Sequence, residues 1–165
     1  MSRRKKWAAF GLCLLVVSAL WNPVSVQATN VGTPDTSDIM AGADTDIAIS
    51  NVNMDGQQAG EKVTVSFRAE TDNSNRNYKV TNITKIVPVL DESFPFETDD
   101  EAYKVIHATG SSVDASYSFT AKENLETGYY PVAFTITYDR QAEDGTVTAY
   151  CVTKSISVKI QAKEE

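Results

Sequence analysis

The clearest feature of the chain is a period of two in its apolar residues, which is typical of β-strands with one buried face. The segment EKVTVSFRAE, residues 61–70, alternates apolar and polar positions, and SSVDASYSFTA, residues 111–121, does the same. A strand that alternates in this way buries one face and leaves the other in solvent. Both segments are therefore predicted to be half-buried strands of an antiparallel sheet.

The most regular pattern lies in GYYPVAFTITYDR, residues 128–140. One parity of this segment is almost wholly apolar and is predicted to face the core: Tyr130, Val132, Phe134, Ile136 and Tyr138. Tyr129 falls on the opposite face. Pro131 lacks a backbone N–H, so we expect it near the start of the strand.

The alternation changes phase in two other places. In YKVTNITKIVPVL, residues 78–90, the shift lies between Val80 and Ile83 and predicts a bulge or two short strands, and Pro88 predicts that the segment ends at, or runs along, a sheet edge. In TVTAYCVTKSISVKI, residues 146–160, a second bulge is expected after Cys151. The dipeptide Asp144-Gly145 predicts a hairpin turn before this last strand.

The segment from 91 to 110 is ambiguous. Thr98 and Glu101 fit a capping box that could begin a short helix. Tyr103, Val105 and His107 alternate, however, and favour a turn followed by a strand.

About seven strands, evenly spaced turns and no convincing long helix predict an all-β fold, an immunoglobulin-like antiparallel β-sandwich. We assign the domain to residues 45–161. Residues 29–44 show no apolar periodicity and are predicted to be a flexible leader. Residues 162–165 form a charged tail.

The N-terminus predicts secretion. Four basic residues at positions 3–6 precede an apolar run from Trp7 to Trp21, and the sequence Val26-Gln27-Ala28 fits a cleavage site after Ala28. A membrane span needs about 20 apolar residues, and this run is shorter. We therefore expect residues 1–28 to be a signal peptide and the product to be extracellular, with no membrane insertion once it is removed.

The net charge of the chain argues against one class of binding partner. The whole chain carries a net charge of −7, and removing residues 1–28 takes away four basic and no acidic residues, which leaves −11. This balance argues against nucleic-acid partners, because phosphate binding needs basic patches.

Only Cys151 remains after cleavage, so no intramolecular disulfide can form and the fold must depend on its core. We expect Cys151 to be a small apolar residue on a strand rather than a reactive thiol.

Few residues suggest chemistry. His107 is the only histidine and is expected at a packed or edge position, and none of the common hydrolase, phosphate-binding or metal-binding motifs occurs. An enzyme is not expected, and no cofactor is predicted. Acidic side chains near a turn could offer oxygen ligands to Ca²⁺, although the spacing of known calcium loops is missing. These weak metal candidates are Asp91, Glu97, Asp99, Asp100 and Glu101.

The order of particular segments suggests a family. GEKVTVSF is followed by FPFE, then by GYYPVAFTITY, by Asp144-Gly145 and by TKSISVKI. Across residues 45–160 this resembles the S-layer-like immunoglobulin-fold domains of bacterial surface proteins, which are related to the cell-adhesion domains called CARDB. The resemblance implies secretion, display at the cell surface or adhesion, and no catalytic residues.

Two functions follow as expectations. The first is a secreted, non-catalytic domain in bacterial cell-surface architecture or adhesion, with a cell-surface protein or glycan as its partner. The alternative is a carbohydrate-binding accessory module, in which outward aromatic rings would contact sugar. The candidate contact residues are Tyr129, Tyr103 and Tyr150.

Overall fold

The computed structural model of the protein describes residues 39–74 and 77–164. The predicted signal peptide and most of the predicted leader lie outside these residues. The described part contains eight strands: β1 (Met40–Ala41), β2 (Ile47–Asp55), β3 (Lys62–Thr71), β4 (Lys79–Pro88), β5 (Ile106–His107), β6 (Ser112–Thr120), β7 (Gly128–Gln141) and β8 (Val147–Ile160).

The strands form two sheets, one in the order β2-β3-β6 and the other in the order β1-β8-β7-β4-β5. All pairings are antiparallel except the short one between β1 and β8, which is parallel. The immunoglobulin-like β-sandwich expected from the sequence is confirmed. The described residues form eight strands rather than about seven. The additional strand is β1, whose two residues are too few to produce an alternating pattern.

The core lies between the sheets and is built from the predicted inward parities. Val63, Val65 and Ala69 of β3 are fully buried, and so are Tyr117 and Phe119 of β6. Two contacts connect the sheets directly. The rings of Phe67 and Phe134 lie 4.8 Å apart, and the hydroxyl of Tyr117 donates a 3.0 Å hydrogen bond to the carbonyl of Ile86.

Strand β7 follows its predicted parity. Val132, Phe134, Ile136 and Tyr138 are buried. Tyr130, at the start of the strand, is half-buried, and its hydroxyl donates a 2.8 Å hydrogen bond to the carbonyl of Glu126. A tyrosine near the start of this strand that bonds the backbone a few residues upstream is the tyrosine corner of immunoglobulin-like sandwiches.

The prolines lie where a missing N–H can be tolerated. Pro131 pairs with Ser157 of β8, but the ladder between β7 and β4 begins only at the pair of Phe134 with Pro88. Pro131 therefore has no strand on its other side. Pro88 is the last residue of β4, as predicted.

One of the two expected bulges is present. The register between β4 and β7 shifts between Val80 and Ile83, as the phase change predicted. The ladder between β7 and β8 runs without a shift from Gly128 to Gln141, so the bulge expected after Cys151 is absent. The odd-numbered apolar residues at the start of β8 face outward instead, and Val147 is 56% exposed.

The segment between β4 and β6 is a series of turns followed by the two-residue strand β5, which is the edge of the five-stranded sheet. It contains no helix, and Tyr103 and Val105 precede the strand and are exposed. The FPFE element contributes Phe94 and Phe96 to the core, where the ring of Phe96 stacks 4.6 Å from that of Phe119. The same segment shields the edge of β6, because the N–H of Glu97 donates to the carbonyl of Thr120 at 2.8 Å.

At the N-terminal side the structure begins earlier than the sequence predicted. Residues 40–41 form β1 and residues 44–46 form a single 3₁₀ turn, although both fall within or next to the segment assigned to a flexible leader. We call residues 39–46 the N-terminal strap. It has no apolar alternation because side-chain and backbone hydrogen bonds, rather than an apolar face, attach it to the sandwich.

Candidate functional site

The most concentrated set of polar contacts in the described residues surrounds Asp46. Asp46 is the last residue of the strap, and its carboxylate is fully buried beside the end of β7. Its Oδ1 accepts a 2.8 Å hydrogen bond from the hydroxyl of Tyr78, and its Oδ2 accepts bonds from the hydroxyl of Tyr138 and from Nε and Nη2 of Arg140, the Nε bond being 2.8 Å long.

The guanidinium of Arg140 is held on both faces. The rings of Tyr78 and Tyr150 each lie 4.1 Å from its central carbon, measured to the ring centroid, so the cation lies between two aromatic faces. Such contacts strengthen when water is excluded, and the side chain of Arg140 is only 16% exposed. We call Asp46, Tyr78, Tyr138, Arg140 and Tyr150 the Asp46 cluster.

The electrostatics of the cluster are those of a satisfied ion pair. Burial alone would raise the pKa of Asp46, but hydrogen bonds from Tyr138, Arg140 and Tyr78 outweigh it and hold the pKa below its ordinary value. Burial and the neighbouring Asp46 carboxylate raise the pKa of Tyr138, which stays a hydrogen-bond donor. Each charged group in the cluster is neutralised inside it. The cluster therefore has the properties of a structural ion pair.

The acidic candidates for a metal site are used by the protein itself. Asp99 Oδ1 accepts from the N–H of Glu101 and of Ala102, at 3.1 and 3.3 Å. Glu101 Oε1 accepts from the N–H of Ser118 at 3.1 Å and from Nζ of Lys104 at 2.9 Å. These bonds close turns and cover the edge of β6.

The remaining acidic candidates do not join them. Asp91 Oδ1 accepts from the N–H and the hydroxyl of Ser93, at 2.8 and 2.6 Å, while Glu97 and Asp100 are exposed. In residues 39–74 and 77–164, no group of three or more His, Cys, Asp or Glu side chains could hold a metal ion.

The three aromatic contact candidates lie in different environments. Tyr129 is 73% exposed, and by its alternation with the buried residues of β7 it lies on the outer face of the five-stranded sheet. Tyr103 is 43% exposed and belongs to the turns that precede β5. Tyr150 is half-buried in the Asp46 cluster, with its ring 6.3 Å from that of Tyr138, so it contributes to packing.

His107 and Cys151 lie in ordinary strand positions. His107 is exposed on the edge strand β5, which agrees with the edge position expected for it. Cys151 is half-buried on β8, opposite Thr137, and its carbonyl accepts a 2.8 Å hydrogen bond from the N–H of Gly42.

The two best-formed depressions in the described surface are open, and none of the candidate residues above lines them. One of them has a volume of about 250 Å³, and its lining includes Ser66, Phe67 and Ser116. Among the described residues no helix is long and apolar enough to cross a membrane.

The Asp46 cluster was not predicted from the sequence, although one of its residues, Arg140, carries a local signal. Arg140 has the same parity as Tyr138 and the other inward residues of β7, and an inward-facing charge requires a partner. The partner could not be identified, because Asp46 lies 94 residues earlier, next to a segment that showed no strand pattern.

No protein-family model matches the chain, and no curated protein matches its sequence.

Proposed function

We propose that this protein is a secreted, non-catalytic immunoglobulin-like domain that serves in bacterial cell-surface architecture or adhesion. The sheets are the scaffold, and loops and outer sheet faces are the contact surfaces. This proposal includes the family suggested by the sequence, the S-layer-like domains related to CARDB, with a cell-surface protein or glycan as partner.

The observation that carries the non-catalytic part of the proposal is that the charged groups of the Asp46 cluster are buried and paired with one another. Enzymes place groups with perturbed pKa values in clefts, where a substrate can reach them. Here the pKa values of Asp46 and Tyr138 are perturbed by one another and by Arg140 inside the sandwich. Tyr117 is likewise buried, and its pKa is raised by burial. All of this supports a scaffold.

The extracellular part of the proposal rests on the N-terminal sequence. The basic residues at positions 3–6, the apolar run and the small residues before position 29 support export.

Fractionation of a bacterial host that expresses the full chain tests this function. We expect the protein in the medium or on the cell surface, with an N-terminus at Thr29 by mass spectrometry. A matched variant with Leu14→Arg and Leu15→Arg, which interrupts the apolar run, should stay uncleaved inside the cell. Unprocessed wild-type protein found only in the cytosol would rule the proposal out.

The second candidate function is carbohydrate binding, which the exposure of Tyr129 favours. An aromatic ring on a flat outer sheet face is a surface on which a sugar ring could stack. Glycan-array binding that is lost in Tyr129→Ala and retained in Tyr103→Ala would support this function. An array with no signal for the wild-type domain would eliminate it.

A further inference from the structure

The N-terminal strap is fastened to the sandwich at three successive points. The first is backbone pairing: Met40 and Ala41 pair in parallel with Tyr150 and Cys151, and the N–H of Gly42 donates to the carbonyl of Cys151. Gly42 is needed for this close approach, because a Cβ at that position would lie 1.8 Å from the hydroxyl oxygen of Tyr138.

The second point is an ion pair between the strap and the middle of β8. Nζ of Lys154 lies 2.8 Å from Oδ1 of Asp44 and also donates to the carbonyl of the same residue. The side chain of Lys154 is only 16% exposed, whereas that of Asp44 is 79% exposed. The lysine side chain is therefore positioned by the sandwich, and its ammonium group binds Asp44 of the strap.

The third point is the Asp46 cluster, in which a fully buried carboxylate at the end of the strap accepts bonds from Tyr78, Tyr138 and Arg140. Two of these donors belong to β7 and one immediately precedes β4. The strap is thus tied to β8 at its start and to the neighbouring strands of the same sheet at its end, before β2 joins the other sheet.

The direction of the strands determines how a pull on the chain would load these points. Because β1 and β8 are parallel, the chain enters at the end of β8 near Tyr150 and leaves at the other end, after Ile160. At about 3.3 Å per residue the two ends are separated by roughly 30 Å along β8. A force that draws them apart acts along the strands in opposite directions, so the contacts between the strap and β8 are sheared together instead of opening one at a time.

We propose that the N-terminal strap is a mechanical clamp, which resists unfolding when the two ends of the domain are pulled apart. The clamp combines the parallel pairing of β1 with β8, the Asp44–Lys154 pair and the Asp46 cluster. This inference concerns the domain itself and does not depend on where the protein resides or on what it binds.

Force spectroscopy in two pulling directions tests the clamp. In the end-to-end direction, handles are attached to the two termini of the full chain. In the second direction, handles are attached at Ser111 and Glu123, which are exposed residues on either side of β6. This strand belongs to the other sheet, and neither Lys154 nor any of the donors to Asp46 lies on it. Clickable non-natural residues at these positions leave Cys151 unchanged.

The test variants are Asp46→Asn and Lys154→Met, and the control is Asp114→Asn, which breaks an exposed Asp–Arg pair in the other sheet. We expect both test variants to unfold faster than wild type at equal end-to-end force, by about tenfold for Asp46→Asn, the factor that corresponds to about 1.4 kcal/mol of lost barrier. In the second direction the unfolding rates of both test variants should stay near that of wild type. The strap contacts are expected to be still intact at the transition state in this direction, and such contacts do not change the unfolding rate.

Equal acceleration in both directions would show that the strap contacts are merely stabilising, and unchanged end-to-end rates would show that they bear no force. Either result overturns the proposal. If Asp46→Asn does not fold, Lys154→Met still decides, because it removes only the two contacts of the lysine with Asp44, whose side chain is exposed.

Discussion

The described residues contain two aspartate–arginine pairs in which Nε and Nη2 of the arginine donate to the carboxylate, but in opposite surroundings. Arg68 Nε and Nη2 donate to the two carboxylate oxygens of Asp114 at 2.7 and 2.9 Å, across the outer face of the three-stranded sheet. Their side chains are 39% and 72% exposed. In the Asp46–Arg140 pair the aspartate is fully buried and the arginine nearly so.

The difference between these pairs shows why contact geometry alone does not give an energy. Water and dissolved ions screen the exposed pair, and its side chains lose conformational freedom when they pair, so its net contribution is small. In the buried pair each charge has lost its water. Once either partner is removed, the other remains buried and uncompensated. The buried pair also joins the N-terminal strap to β7, whereas the exposed pair joins two strands that are already neighbours.

Removal of the buried aspartate should have the largest effect. Asp46→Ala leaves the guanidinium of Arg140 without its carboxylate and the hydroxyls of Tyr78 and Tyr138 without their acceptor, and we expect a loss of about 3–5 kcal/mol in the free energy of unfolding. Urea denaturation followed by circular dichroism measures it. Asp114→Ala is the matched control and should move the urea midpoint only slightly. Similar losses in the two variants would contradict the comparison.

Exchange of the arginine for lysine should have the next largest effect. Arg140→Lys keeps the charge but loses the planar fork and its contacts with the rings of Tyr78 and Tyr150. The expected loss is about 1.5–3 kcal/mol, which is typical of hydrogen bonds to charged groups. Arg68→Lys should leave the urea midpoint nearly unchanged. A midpoint for Arg140→Lys equal to that of wild type would mean that charge alone is required.

Acid should act through the buried pair. The pKa of Asp46 in the folded protein lies below its ordinary value of 3.8, so the carboxylate stabilises the fold above that pH, and this stabilisation is lost as the pH falls through the folded pKa. Urea midpoints measured below about pH 4 should therefore fall steeply for wild type and less steeply for Asp46→Asn.

The pKa of Asp114 is also lowered, chiefly by its hydrogen bonds from Arg68. Because this carboxylate is exposed, Asp114→Asn should keep the steep acid dependence of wild type. An Asp46→Asn variant that is as acid-sensitive as wild type would show that other carboxylates dominate.

Salt should produce the smallest effect and should act on the exposed pair. A double-mutant cycle measures the coupling between Arg68 and Asp114 and, separately, between Asp46 and Arg140. Between about 0.05 M and about 1 M NaCl the first coupling should decline toward zero and the second should persist, because screening acts weakly on charges that water does not reach. A coupling between Asp46 and Arg140 that declines in parallel would indicate that water enters the cluster.

Much of the sandwich could be predicted from local pattern. The inward residues of β3, β6 and β7, the end of β4 at Pro88 and the turn at Gly145, whose φ is +85°, all follow from alternation or from the chemistry of a single residue type. The prediction of a bulge in β8 was wrong because it also relied on local pattern. Apolar residues on the outer face of a strand produce the same sequence pattern as a change of phase.

The candidate contact residues also divide into those whose environment follows from the local pattern and those whose environment depends on the tertiary structure. Parity correctly separated Tyr129 from the buried face of β7, because exposure along one strand is a local property. Tyr150 was a candidate for surface contact, yet it packs against Arg140, ten residues away on the neighbouring strand. The acidic residues from 91 to 101 form local turns and cover a sheet edge, which their composition alone does not reveal.

The sequence by itself determined where the long strands lie and, for β3, β6 and β7, which face is buried, because alternation is set by the geometry of each strand. Only the tertiary structure decided that residues 39–46 belong to the domain and that Arg140 meets Asp46. That pairing depends on the desolvation of a charge by packing from three distant segments. No single segment of the sequence shows the pairing of Asp46 with Arg140, because the buried carboxylate is stabilised only where all of its hydrogen-bond donors come together.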